Sequence, residues 1–291
     1  MTKIIDGRKI AEEIHNELKQ RVKRLKDEGV VPKLATILVG ENPASISYLR
    51  RIEKSFGEVG IIVDVHNLPE KIKQEELKRK IIEIGRDPAV HGILLQMPLP
   101  EHIDAAEVSE VIDPSKDIDC VNPLNIGLFL LGRPRFIPCT PLAVYEILRR
   151  SGYDLRGKEV VVVGAAGKVG RMITLLLIRE GATVTACDIF TRDLANHTRE
   201  AEILVSAVGK PHLITADMVR EEAVVIDVGI SRIEDPERPG KFKLVGDVDF
   251  DAVKEKASAI TPVPGGVGPV TTAMLISNTV KAAENIGKSC S

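Results

Sequence analysis

The 291-residue sequence has no surplus of either charge: 40 lysines and arginines face 42 aspartates and glutamates, a formal net charge of −2. It therefore lacks the basic excess that marks many nucleic-acid-binding chains. Long apolar runs are missing too. Stretches such as Val160–Val163 and Leu175–Ile178 fall far short of the roughly 20 residues a spanning helix needs, so no membrane partner is expected. The N terminus, Met1-Thr2-Lys3-Ile4-Ile5-Asp6, lacks the apolar segment of a secretory signal, which makes the cytoplasm the expected compartment. Cysteine is scarce. Cys120, Cys139, Cys187 and Cys290 form no CxxC pair, which argues against a disulfide framework. The six histidines are scattered without ligand spacing, so no metal site is expected.

What is present is a normal globular composition, 44% hydrophobic and 28% charged, with enough apolar material for sizeable cores. Ile10, Ile14, Leu18, Val22 and Leu25 recur at helical spacing. A strand pattern over Leu34–Val39 ends at Gly40. A helix is expected from Pro43 to Val59, a strand over Ile61–Val65, a helix over Gln74–Ile84 and a buried strand over Gly92–Gln96. Met97-Pro-Leu-Pro100 breaks that strand, and a helix follows around Ala105–Ile112. The rhythm restarts after Pro138-Cys-Thr-Pro141 with strands near Val160–Val163, Thr183–Cys187, Ile203–Ala207 and Val224–Val228. Strands alternating with helices predict α/β units with parallel sheets. We expect two domains: residues 1–138, with a helix in 270–291 packing back on them, and residues 139–269 as a Rossmann-type dinucleotide-binding domain.

The sharpest local motif is Lys158-Glu-Val-Val-Val-Val-Gly164-Ala-Ala-Gly167-Lys-Val-Gly170, an apolar strand entering a glycine turn that opens a helix. Gly164 makes the tight turn, Gly167 lets the backbone approach a pyrophosphate, and Gly170 lets the helix lie close to the sheet. The stretch Gly164, Ala165, Ala166, Gly167, Lys168, Val169 and Gly170 is the expected phosphate cradle. Free N–H groups at the helix start favour an anion there. Asp188 ends the next strand, 18 residues after Gly170, where an acid is expected to bind the adenosine ribose 2′-OH. A carboxylate there accepts from the ribose diol of NAD and repels the 2′-phosphate of NADP. NAD is therefore the expected cofactor. Taken singly, each feature also has an ordinary reading, a plain strand–turn–helix and a loop carboxylate.

Several segments together resemble the methylenetetrahydrofolate dehydrogenase/cyclohydrolase family. The most specific is Pro264-Gly-Gly-Val-Gly-Pro-Val-Thr271, with Val270 where methionine is usual. Others are Val39-Gly-Glu-Asn-Pro-Ala-Ser45 with Tyr48, Gln96-Met-Pro-Leu-Pro100, Lys116-Asp-Ile-Asp119, Pro138-Cys-Thr-Pro141, Asp227-Val-Gly-Ile230 and Gly246-Asp-Val248. The resemblance implies an α/β substrate domain and a Rossmann domain with a cleft between them, a folate substrate and a homodimer. It implies that Asp119 anchors the pterin, Gln96 lies near the reacting end, the Tyr48 ring contacts the folate, and Pro264, Gly265 and Gly268 line the substrate. By residue type alone Asp119 is a turn residue, Gln96 a buried amide and Tyr48 a core aromatic.

Two departures from the family pattern carry information. Bifunctional members have a lysine four residues after the tyrosine that serves hydrolysis of the methenyl product; this chain has Ile52 there, with Arg51 one position earlier. Members that use NADP have Gly-Arg-Ser in the glycine loop and His-Ser after the second strand; this chain has Gly164-Ala165-Ala166 and Asp188-Ile189. Cys120 replaces the usual glycine after Asp119. Together these predict an NAD-dependent dehydrogenase with weak or absent cyclohydrolase activity. Three other readings stay open: a bifunctional enzyme that uses Arg51 or a water, another two-domain NAD(P) dehydrogenase such as one acting on shikimate, and a non-catalytic NAD- or folate-binding protein.

Overall fold

The computed structural model describes residues 2–235, 238 and 240–289, and Cys290 lies outside them. In chain order the elements are β1 (Lys3–Ile4), α1 (Gly7–Asp27), β2 (Lys33–Val39), α2 (Pro43–Val59), β3 (Ile62–Leu68), α3 (Gln74–Arg86), β4 (Gly92–Leu95), α4 (Ala105–Glu110), α5 (Pro123–Leu130) and α6 (Cys139–Arg150). Then come β5 (Glu159–Val163), α7 (Lys168–Arg179), β6 (Thr183–Cys187), α8 (Leu194–Thr198), β7 (Ile203–Ser206), β8 (Val224–Asp227), β9 (Ser231–Glu234), β10 (Phe242–Val245), α9 (Phe250–Val253), β11 (Ala259–Ile260) and α10 (Val267–Ser289).

The chain divides into two compact units: residues 1–12 with 140–271, and residues 13–139 with 272–291. The first contains a six-stranded parallel sheet in the order β1-β11-β8-β7-β5-β6. The chain leaves β5 for β6 on one side and returns to β7 on the other. This reversal opens a crevice at the strands' carboxyl ends, the place where such sheets bind nucleotides. Val161, Val163, Leu204, Val225 and Ile260 cover one face and pack with Ile214, Val219 and Val253. Antiparallel β9 and β10 form a separate two-stranded ribbon.

The second unit holds the parallel sheet β3-β2-β4. Ala35, Ile37 and Val39 alternate along β2 onto a core shared with Ile93 and Leu95 of β4. Leu77, Ile81 and Ile84 of α3 join that core at one-turn spacing. Asp104 starts α4 by accepting from the Ala106 and Glu107 N–H groups at 2.8 and 3.2 Å.

The expected boundary at the N terminus is corrected. Residues 1–12 do not join the first half of the chain, because β1 pairs with β11 and completes the edge of the six-stranded sheet. No helix of the described residues is long and apolar enough to cross a membrane.

Candidate functional site

The dinucleotide side is built on the ends of β5 and β6. Gly164 has φ +86°, and a Cβ on it would stand 2.5 Å from the Ala207 carbonyl oxygen. A Cβ on Gly170 would stand 2.1 Å from the Gly164 oxygen. Any side chain at either position would push the loop off its neighbours. Gly167 caps the start of α7 with extended backbone and no side-chain hydrogen bond of its own. The first N–H groups of α7 have no partner within the helix and carry its positive dipole end. This cradle fits a pyrophosphate: Gly167 adds no Cβ bulk, and Ala165 and Ala166 add only methyl groups.

Asp188 lies just past β6 and reaches back to this loop. Its carboxylate accepts from the Ala166 N–H and the Ile189 N–H, each at 2.7 Å. These bonds, that from Ile189 first, hold the carboxyl below its ordinary range, so it is ionised at neutral pH. A carboxylate has about four acceptor sites, which leaves capacity for ribose hydroxyls. Arg171 is engaged locally, donating to the Ala166 carbonyl at 2.7 Å.

In the second unit, the segment Lys116–Asp119 runs beside β4 through a parallel bridge between Ile93 and Asp117. Two of its polar groups hold the fold. Lys116 Nζ donates to the carbonyls of Gly85 and Asp87 at 2.7 and 2.6 Å, closing the end of α3. Asp117 is fully buried and accepts from Val121 N–H, Asn122 N–H and Asn125 Nδ2. Asp119 is only half-buried; it shares a side-chain hydrogen bond with Cys139, and its charge is felt by Tyr48 and Cys139. Burial, then the Asp119 charge, pushes the Tyr48 phenol well up and keeps it neutral. Tyr48 can donate a hydrogen bond or offer its ring; it cannot serve as a phenolate base. Arg51 lies over that ring, 5.6 Å from its centroid.

The loop carrying Asp119 is pinned from below by Asn278 of α10, whose Nδ2 donates to Ile118 O at 2.8 Å and Ile137 O at 3.1 Å. Cys120 adopts φ +56°, the region that favours the glycine usual in the family. It is buried, which pushes its thiol up to about 12, with the charges of Asp117 and Asp119 adding to the shift. Burial, reinforced by Asp119, also pushes the Cys139 thiol up. Neither thiol is a nucleophile at neutral pH.

Gln96 follows β4 directly and is buried, with Nε2 donating to Thr36 Oγ1 of β2 at 3.0 Å. Ser45 at the start of α2 donates to the Met97 carbonyl at 3.5 Å, tying the helix of Tyr48 to the Gln96 segment. Ile52 does not line an opening: it is fully buried, whereas Tyr48 on the preceding turn is half-buried.

In the loop after β11, Gly265 has φ +110° and lies against the Arg8 guanidinium, 3.3 Å from where a Cβ would stand. Gly268 has open space, its nearest neighbour being Ile230 Cδ1 at 4.0 Å. Pro264 is exposed. The tightest packing involves residues that sequence reasoning passed over. A Cβ on Gly7 would stand 1.8 Å from Gly266 O, and the Gly7 N–H donates to Gly265 O at 2.9 Å. Asp227 and Asp247 were also missed as a pair. Asp227 accepts from the N–H groups of Gly229, Asp247 and Val248 at 2.9–3.0 Å. Asp247 accepts from Ser206 Oγ, Val208 N–H and Gly209 N–H at 2.7–2.9 Å. Their signal was present: each sits in a quoted segment beside a glycine, Gly229 or Gly246, whose Cβ would collide with the partner carboxylate. No cluster of three or more metal-ligating side chains occurs among the described residues.

A doubly wound parallel sheet, a glycine cradle and an acid after the second strand define an NAD(P)-binding α/β protein with a second, separate α/β unit. Comparison with known proteins makes this specific. Residues 5–119 match the catalytic domain, and residues 138–286 the NAD(P)-binding domain, of tetrahydrofolate dehydrogenase/cyclohydrolase. The chain belongs to that family. It is 50% identical over 285 residues to the bifunctional protein FolD of Nautilia profundicola, covering 98% of both chains. The FolD methylenetetrahydrofolate dehydrogenase/cyclohydrolase structure from Campylobacter jejuni superposes with a TM-score of 0.94 at 45% identity, covering 98% of this chain and 99% of that one. The Trypanosoma brucei enzyme, solved with NADP and an inhibitor, gives 0.92 at 40%, covering 98% of each.

Proposed function

We propose that this protein oxidises 5,10-methylenetetrahydrofolate to 5,10-methenyltetrahydrofolate with NAD as acceptor and has little or no cyclohydrolase activity. The observation that carries the NAD assignment is Asp188, bonded to the Ala166 N–H of the glycine loop. A 2′-phosphate at that carboxylate meets like charge, and neither Ala165 nor Ala166 offers a cation. The trypanosomal relative was solved with NADP; the loop of this chain, Gly164-Ala165-Ala166, is the reason to expect otherwise here.

When bound, NAD supplies the hydride acceptor. The protein's residues bind and orient. Asp119 accepts from the flat N–H edge of the pterin as a charge-assisted pair. Tyr48, held neutral, offers its ring, and Gln96 presents an amide whose orientation Thr36 sets. The methenyl cation is delocalised over two folate nitrogens, so hydride loss needs alignment rather than a strong base. Hydrolysis needs proton transfers, and the residue four positions after Tyr48 does not supply them. Ile52 is apolar and buried, and the Arg51 guanidinium offers donors but no acceptor.

A second reading keeps hydrolysis. It draws on the bifunctional names of the relatives and on Arg51 beside Tyr48. One assay separates the two. With methylenetetrahydrofolate and either cofactor, NADH should form faster than NADPH, and methenyltetrahydrofolate should accumulate. Loss of acid–base help typically costs about 10²–10⁴ in rate, so purified methenyltetrahydrofolate should disappear close to the enzyme-free rate. Rapid enzyme-dependent hydrolysis would establish the bifunctional reading.

A further inference from the structure

A carboxylate that grips a flat ligand with both oxygens has to present its plane as well as its charge. In aspartate the torsion that sets this plane is soft and roughly two-fold. A partner inside the protein is needed to fix it. Cys139 supplies one: it is buried at the start of α6 and shares a side-chain hydrogen bond with Asp119. Asp119 carries the charge felt by its neighbours, and an ionised carboxylate only accepts, so the thiol is the donor.

The thiol has one proton and two oxygens within its reach. Its sulfur also lies 3.3 Å from the Ile118 carbonyl oxygen. That carbonyl is already served, because the buried Asn278 donates to it through Nδ2 at 2.8 Å, and to the Ile137 carbonyl at 3.1 Å. The same nitrogen lies 3.4 Å from the Cys139 sulfur, a weak acceptor. With the amide on the Ile118 carbonyl, the thiol proton goes to the charged oxygen, where a hydrogen bond is roughly twice as strong as one between neutral groups. Burial, reinforced by the Asp119 charge, keeps that proton on the sulfur. Asp119 itself is half-buried, so it meets the thiol on its inner side and keeps accessible surface for a ligand.

We propose that Cys139 is a positioning residue for the pterin anchor: its thiol donates to the Asp119 carboxylate and fixes the plane of that group, while Asn278 keeps the thiol proton from the Ile118 carbonyl. This rests on the reading of Asp119 as the partner of the pterin. A thiol suits the task because it is a weak donor. It holds the carboxylate still and leaves most of its charge to the ligand.

The test is a double-mutant cycle on the full chain, read as kcat/KM for methylenetetrahydrofolate at saturating cofactor, with melting curves to check that each variant folds. Cys139→Ala should lower kcat/KM roughly threefold through KM, with kcat and the KM for the cofactor unchanged. In the Asp119→Ala background no carboxylate is left to place, so adding Cys139→Ala should lower kcat/KM no further. Cys139→Ser keeps a donor and should stay near the wild type. Infrared spectra read the bond itself: the S–H stretching band that disappears in Cys139→Ser should shift in Asp119→Ala. Equal losses in both backgrounds, or a band that does not move, overturn the proposal and make Cys139 a packing residue. Unchanged folate kinetics in Asp119→Ala overturn the anchor and its positioning residue together. A loss in Asp119→Ala with none in Cys139→Ala overturns the positioning role alone.

Discussion

At the carboxyl ends of β5 and β6 the chain is shaped mainly by missing side chains and main-chain N–H groups; beside β4 it is shaped by buried polar side chains. Gly164 and Gly170 leave room for backbone to touch backbone. Asp117, Asn122, Asn125 and Asn278 instead build a hydrogen-bonded frame under the Asp119 loop. The two constructions fail differently. A loop built on glycines tolerates no added Cβ, whereas a loop built on buried acceptors tolerates no lost oxygen, because each orphaned donor keeps its desolvation cost.

The neighbouring acids of Lys116-Asp-Ile-Asp119 are the sharpest test. Asp117→Ala strips three donors of their acceptor in a buried site, and unfolding free energy should fall by about 3 kcal/mol or more. Asp119→Ala should leave the melting temperature nearly unchanged and weaken folate by about 1.5–3 kcal/mol, with NAD affinity intact. Melting curves and folate KM on both variants settle it. Equal effects on stability would erase the distinction between frame and site.

Asp227, like its partner Asp247, is an exception on the nucleotide side, a buried acid among the glycine-shaped loops. Burial pushes its carboxyl up to about 7, against the lowering effect of its N–H donors. Its unfolded value is about 3.9. The folded state thus holds the proton more tightly than the unfolded chain. The stability this gives is present in acid and is lost as pH rises from about 4 through about 7, at up to roughly 1.4 kcal/mol per pH unit. Urea unfolding of wild type and Asp227→Asn across this range isolates the effect, since asparagine does not titrate. The wild type should lose ground relative to the variant up to about pH 7 and then hold level. A constant difference would show that Asp227 is ionised throughout.

Cofactor choice tests the nucleotide loop itself. Asp188→Ser with Ala165→Arg removes the repelling charge and adds a cation, and should move the NAD-to-NADP ratio of kcat/KM by tenfold or more, a change of about 1.4 kcal/mol. A wild type that already favours NADP would show that the carboxylate does not meet the 2′ position.

The contrast also explains what the sequence made legible. The expected helix from Pro43 to Val59 has those ends in the structure, and β5, the glycine turn and Asp188 follow one another in sequence, so their order alone placed them. Two-residue β1 offers no periodicity, and only its partner β11, more than 250 residues away, reveals it. The ribbon of β9 and β10 went unread because its four-residue strands carry mostly exposed side chains. Gly7 opens α1, and only the fold shows that its missing Cβ makes room for Gly266. In Lys116-Asp-Ile-Asp119 the residue types do not say which acid faces inward. The fold decides that by bridging Ile93 to Asp117. Ile52 shows the same limit. Its place four residues after Tyr48 is plain in the sequence, but only packing shows that it is fully buried.

The smallest expected effect, where the amide relaxes, lies in the bond between the central strand β2 and the residue that follows β4 in the second unit. Thr36 is fully buried in β2, where valine fits equally well as a strand former. What threonine adds is the hydroxyl that accepts from Gln96 Nε2 at 3.0 Å. That bond fixes which end of the amide is spent on the protein and which is left to the site. Thr36→Val conserves shape and β propensity, so its cost isolates the hydrogen bond: about 0.5–1.5 kcal/mol if the amide relaxes, and up to about 3 if its N–H is stranded. The amide can also turn over, presenting N–H where the carbonyl oxygen stood. In that case stability is largely kept and the loss moves to dehydrogenase kinetics. Thr36→Ser keeps the hydroxyl and should restore whichever property fell, at the smaller cost of a deleted methyl group. Paired measurements of unfolding free energy and of kcat and KM for the folate therefore divide a frame role from a positioning role. If Thr36→Val matches wild type in both, the bond is dispensable and Gln96 is held by its backbone alone.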